Sequence, residues 1–195
     1  SKSVTVFAAD PNEQRIVLEL NDGKQFFLDD EPKKENKQVE KRRTLDYTNL
    51  AKTSVPVVKK MLQTHSIVIP RGETFKLILC DGTEVWLNAN STLRYPERFN
   101  LKQREVELQG EAFFEVEKNK EKPFVVKTSK MDIQVTGTKF NVSAYEAETY
   151  FVTSLVEGAV SVSCENDRNR TFSLRPQQQI IVSDSSSKVA LFENT

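Results

Sequence analysis

One stretch of this 195-residue chain occurs twice. Leu18, Leu20, Asp22, Gly23, Phe26, Phe27 and Leu28 in LELNDGKQFFL return as Leu77, Leu79, Asp81, Gly82, Val85, Trp86 and Leu87 in LILCDGTEVWL, at a constant offset of 59. Each copy has the chemistry of a β-hairpin: alternating apolar residues run into Asp-Gly, where the backbone takes positive φ, and resume beyond it. A unit used twice is a building block, not a catalytic site. Looser echoes lie at 106–116 (VELQGEAFFEV), 133–142 (IQVTGTKFNV) and 154–162 (SLVEGAVSV), each a glycine between alternating residues. Repeats of this kind stack supersecondary units around one core. The expectation is an irregular pile of hairpins.

Most of the chain after Ser66 supports that architecture. Short runs rich in Phe, Val, Thr and Ile (FKLIL, EVWL, REVEL, FFEV, FVVKT, KFNVSAY, YFVTSLV, QQIIVS) are separated by turn residues, the pattern of side chains packing on pleated surfaces. Alternation is clearest in REVELQGEAFFEVEK. Val106, Leu108, Ala112, Phe114 and Val116 share one face there, and Glu107, Gln109, Glu111 and Glu115 take the other. One face buried and one wet is the antiparallel arrangement. Short antiparallel strands without long helices predict an all-β fold, an irregular antiparallel sandwich or roll.

The chain divides into an N-terminal hairpin (1–30) packing on a main β domain (64–192), with a connection at 31–63. Within that connection EPKKENKQVEKRR carries six positive and three negative charges and little that is apolar. It cannot offset its ordering entropy by burial and reads as a solvated loop. Residues 44–64 fit neither period cleanly. They read as a short helical face of Val57, Val58, Met61 and Leu62, or as an irregular connection.

Twenty-eight basic residues balance twenty-eight acidic ones, which argues against nucleic acid or an anionic membrane surface as the main partner. The longest apolar runs fall far short of the roughly 20 residues that cross a bilayer. SKSVTVFAAD lacks the features of a secretory leader, so the protein is either cytosolic or separated here from an export or anchoring segment. Cys80 and Cys164 are compatible with one disulfide, two buried thiols or a surface thiol.

The residues offer little catalytic chemistry. His65, the single histidine, has no nucleophile motif near it and reads as a turn or surface residue. No His/Cys clustering suggests a metal, and no glycine-rich phosphate loop is present. Asp22 and Asp81 are explained by their turns, and Gly110, Gly137 and Gly158 by hairpin turns or bulges. Trp86 and the Phe113-Phe114 pair read as core aromatics, with a sugar-stacking platform as the alternative. No catalytic, cofactor-binding or metal residue is assigned.

Taken in order, the blocks VIPRGETFKLILCDGTEVWLNANSTLRYPERF, REVELQGEAFFEVEKNKEKPFVVKT, IQVTGTKFNVSAYEAE, TSLVEGAVSV and LRPQQQ resemble the FecR family of transmembrane anti-sigma regulators, in the form common in Bacteroidetes. The resemblance covers about residues 64–182 and, more weakly, 14–30. It implies a periplasmic sensing region of a three-part, non-enzymatic protein. A cytoplasmic domain holds an extracytoplasmic-function sigma factor, one helix spans the inner membrane, and the β-rich region senses the signalling domain of a TonB-dependent outer-membrane receptor. This sequence shows neither the cytoplasmic domain nor the helix, and stops near Phe192 where relatives continue. It is therefore expected to be a periplasmic piece, with receptor and sigma contacts made largely through missing domains. A carbohydrate-binding sandwich module is the second reading, and a carboxylate glycosidase the third.

Overall fold

The computed structural model describes residues 15–28, 44–48 and 63–192, which are almost entirely strand and turn. The first hairpin joins β1 (Val17–Glu19) to β2 (Gln25–Phe27), and β3 (Thr44–Asp46) and β4 (Thr64–Ile69) follow. The second hairpin joins β5 (Phe75–Ile78) to β6 (Glu84–Leu87) and leads into β7 (Ser91–Pro96) and β8 (Arg104–Glu115). Next come β9 (Phe124–Lys127), β10 (Met131–Val135), β11 (Lys139–Ala144) and β12 (Phe151–Glu157). The last four are β13 (Val160–Cys164), β14 (Asp167–Leu174), β15 (Gln178–Val182) and β16 (Ser187–Leu191).

Both halves of the molecule meet on β8. Its first half pairs with β7 and β9 in a sheet ordered β2-β1-β4-β7-β8-β9-β10-β13-β14. Its second half pairs with β6 and β11 in a sheet ordered β3-β5-β6-β8-β11-β12-β15-β16. The handover falls at Gly110, whose φ of 101° only glycine tolerates well. A Cβ there would stand 2.5 Å from Ser91 Oγ and 2.8 Å from the Asn90 carbonyl. Ser91 Oγ fills the break in the ladder by accepting the Glu111 N–H at 2.8 Å. The expected hairpin or bulge at Gly110 is thus a bend inside one long strand, because the chain changes sheets there without turning back.

The alternation read along β8 is the alternation observed: Val106, Leu108, Ala112, Phe114 and Val116 are all buried. Phe114 stacks on Phe140 at 5.2 Å between ring centroids, and Phe124 closes on Phe114 and Phe99. These rings sit where the two sheets diverge and build one continuous core. The all-β prediction holds, with two pairings that are parallel, β3 with β5 and β8 with β9.

Thr44–Asp46, assigned from sequence to the connection, is strand β3. Its three residues are too few for any period to show. The predicted helical face at Val57, Val58, Met61 and Leu62, the charged run 31–43 and the first 14 residues of the N-terminal hairpin segment 1–30 lie outside the described residues.

Candidate functional site

His65 occupies a different place from the turn or surface expected of it. It lies in β4, buried, with Nδ1 2.7 Å from the Tyr47 hydroxyl. Tyr95 donates to the same hydroxyl at 3.3 Å, and the three rings pack 5.5–5.9 Å apart. Burial pushes the imidazole pKa down, against a weaker upward pull from Glu97, and pushes both phenols up. A neutral ring accepts at Nδ1 from Tyr47, whose oxygen in turn accepts from Tyr95. Tyr47 also donates its backbone N–H to Ile78 O at 2.9 Å, which anchors the residue after β3 to the second hairpin. The trio is a structural pin, with no nucleophile beside it.

A second polar cluster escaped the sequence reading. Arg104 starts β8 with only 2% of its side chain exposed, and its Nη1 meets Asp81 Oδ2 in the second hairpin turn at 2.8 Å. Its Nε donates to the Lys122 carbonyl and Nη1 also to that of Glu117, while the Phe124 ring lies 5.5 Å from the guanidinium. Thr83 Oγ1 donates to Asp81 Oδ2 at 2.8 Å and accepts the Glu117 N–H at 3.2 Å. A signal was present, because Arg104 stands two residues before Val106 and four before Leu108, so a period of two aims it into the core. Asp81 therefore does more than shape its turn. It holds a buried cation.

Trp86 is not in the core. Val85 and Leu87 take the buried positions of β6, so alternation sends Trp86 to the outer face of the second sheet, where it is half-buried. Phe113 follows it outward for the same reason while Phe114 goes in. The cross-strand pair Trp86–Phe113 has centroids 5.7 Å apart, and Lys76 Nζ lies 4.7 Å above the indole. Asn88 and Asn141 donate from either side to the two oxygens of Glu111, at 3.1 and 2.9 Å. Glu84 and Glu115 face each other across β6 and β8, each held by a lysine at 2.7 Å, Lys76 and Lys139. The result is a pre-formed aromatic patch framed by paired charges. Lys76 caps one face of the indole.

The comparisons with known proteins agree with this picture. Residues 65–161, from β4 to the start of β13, match the family of FecR proteins. That stretch of the chain is a FecR region. Two crystal structures of candidate anti-sigma factors from Parabacteroides distasonis share its fold, with TM-scores of 0.61 and 0.60 at 37% and 38% identity. They align with 65% and 64% of this chain, which spans 58% and 57% of theirs. No curated protein matches the sequence.

Several acids of the FecR region are paired with cations. A groove of about 230 Å³ between β4, β7 and β8 holds Glu105 and Glu107. Lys127 sits on the first at 3.2 Å and Arg94 on the second at 3.0 Å. No group of three metal-ligating residues occurs among the described residues, nor does a helix long and apolar enough to cross a membrane. Cys80 and Cys164 are both free and buried, and burial pushes both thiols up. Of the three cysteine possibilities, two buried thiols is the outcome.

Proposed function

We propose that this chain is the periplasmic sensing part of a membrane-anchored anti-sigma regulator. In this reading it relays occupancy of a TonB-dependent outer-membrane receptor to an extracytoplasmic-function sigma factor. The observation that carries the proposal is the coincidence of the FecR match with the β8-centred core, together with structural neighbours named as anti-sigma factors at 37–38% identity. The chemistry of the surface supports it. Side chains that are already paired, rigid strands and an aromatic patch suit recognition by shape, and a contact sensor needs no titrating cluster. Residues 64–192 form the body in this scheme, 1–30 add a hairpin to it, and 31–63 connect them. Sigma and receptor contacts then fall chiefly to parts of a longer protein.

The decisive experiment uses the full-length gene. Its deletion, and separately deletion of the region encoding 64–192, is expected to change transcription from promoters of one extracytoplasmic-function sigma factor, with loss of the response to that receptor's ligand. Unchanged sigma-dependent transcription in both deletions, over a panel of such factors, would remove the proposal.

A further inference from the structure

The two copies of the repeated hairpin superpose residue for residue in their ladders. Leu18 faces Phe26 and Val17 faces Phe27 in the first; Leu77 faces Val85 and Lys76 faces Trp86 in the second. Even the turn bonds recur: Gly23 N–H to Leu20 O and Gly82 N–H to Leu79 O, both at 2.9 Å. Their outer strands part company. β6 is covered along its far edge by β8, which lays Phe114 against Val85 and Ala112 against Leu87. β2, its counterpart, pairs only with β1 among the described residues.

The consequence shows in Phe26. It stands where Val85 stands, on the face of Leu18 and Leu28 that turns toward the core, yet it is 48% exposed where Val85 is fully buried. In antiparallel pairs the outward N–H and C=O groups alternate. Because Leu28 bonds inward to Ile16 and Leu20 to Lys24, the groups of Gln25 and Phe27 face the edge that no strand among the described residues covers. Folded proteins blunt such edges with charge. Among the described residues the strands ending the two sheets are β2, β14, β3 and β16. The last three carry Asp167 and Arg170, Asp46, and Lys188, whereas Gln25, Phe26 and Phe27 carry no charge.

We propose that the β2 edge docks an extended segment of a partner protein as an added antiparallel strand. The segment carries a small residue and, two positions later, an aromatic one, seated over Leu28 and Phe26 as Ala112 and Phe114 sit over Leu87 and Val85. The mode is strand addition, with backbone bonds giving affinity and the alternate pockets giving choice. A second copy of this chain is a poor occupant. Its own β2, Gln25–Phe27, lacks the small residue two positions before an aromatic one that these pockets select. The inference rests on the duplicated hairpin and goes beyond the anti-sigma reading, which its failure would leave standing.

The test takes its probe from the second hairpin, as a capped peptide of residues 109–117, QGEAFFEVE, titrated into the isotope-labelled chain. Saturable amide shifts centred on Gln25 and Phe27 are expected, weakened at least about tenfold by Phe26→Thr. A peptide N-methylated at the position of Phe113, which touches nothing in the protein's own folding, is expected not to bind. Absence of saturable shifts up to about 1 mM peptide would overturn the proposal. So would shifts centred on Glu84 and Trp86, meaning that the peptide displaces β8, or a concentration-dependent dimer formed through β2 without any peptide.

Discussion

In the first hairpin Asp22 lies at the surface with Lys24 Nζ 2.7 Å away, whereas Asp81, its counterpart in the second, holds the buried guanidinium of Arg104 at 2.8 Å. Both aspartates perform the same local task. Asp22 Oδ1 accepts the Lys24 N–H and Asp81 Oδ1 the Thr83 N–H, each at 3.1 Å, and Gly23 and Gly82 follow with φ of 80° and 89°. Turn geometry is thus set by the local sequence, and the second oxygen of each aspartate is left for whatever the surroundings supply. At the rim that is an exposed lysine; beside β8 it is a buried cation with no other ion-pair partner among the described residues. The same motif is a turn in one place and a structural joint in the other.

The largest expected difference between the copies follows from that contrast. Asp81→Ala leaves Arg104 charged, buried and without its carboxylate, which should destabilise the domain by about 3–5 kcal/mol. Arg104→Met added to Asp81→Ala should restore most of the loss, because a buried ion pair replaced as a unit costs far less than one broken. Asp22→Asn should leave the urea midpoint nearly unchanged. The Lys24 ammonium and N–H hold the Asp22 carboxyl below its usual pKa, but the pair is open to water and salt. Equal midpoints for the Asp22 and Asp81 variants would break the comparison. Next in size is the joint between the sheets, where Gly110→Ala adds a Cβ against Ser91 and Asn90 and should cost about 3 kcal/mol.

Equivalent apolar positions sharpen the contrast. Val85→Ala removes a fully buried side chain and should cost about 2 kcal/mol, against under about 1 kcal/mol for Phe26→Ala at the open edge. The glycines provide the control. Both have positive φ and open space around the missing Cβ, so Gly23→Ala and Gly82→Ala should each cost about 1–2 kcal/mol, and by the same amount in calorimetry. A much larger loss for one would mean that the turns are not equivalent after all.

Legibility from sequence tracked how far each feature depends on neighbours along the chain. The duplicated hairpin, the face of β8 and the strand content are written in alternation over four or more residues. The size of Trp86 points to the core while its parity between Val85 and Leu87 points outward, and parity decides; Arg104 shares the inward parity of Val106 in spite of its charge. β3 left no trace, since its parallel pairing joins it to residues 32 positions further on, Thr44 to Lys76 and Asp46 to Ile78. Gly110 was recognised as special, but whether the chain reverses or only bends there depends on Ser91 across the sheet. The aromatic patch depended in the same way on which residues β6 and β8 bring together.

The smallest effect concerns the place where the surroundings of the two hairpins touch. β4 is the neighbour of β1 and β3 the neighbour of β5, so the 2.7 Å contact between His65 and Tyr47 ties the two hairpins together through their flanking strands. Burial holds the imidazole pKa below its ordinary 6.5, and the unfolded chain therefore takes up the proton first. The stability this arrangement contributes is fully present above pH 6.5 and declines as pH falls toward the lower folded value. A protonated Nδ1 could no longer accept from Tyr47, and the Tyr95–Tyr47 chain of donors would have to reverse with no acceptor at its end. Urea midpoints should consequently fall between pH 7 and about 5.5, and His65→Gln, which keeps a hydrogen-bonding side chain without the titration, should flatten that fall. Because Glu97 pulls the imidazole the other way, Glu97→Gln should lower its pKa further, so that the decline begins at the same pH but runs deeper and on to lower pH. A histidine titration that stays at its ordinary value in the folded chain would show that the pin is open to water and that the hairpins are joined only through β8.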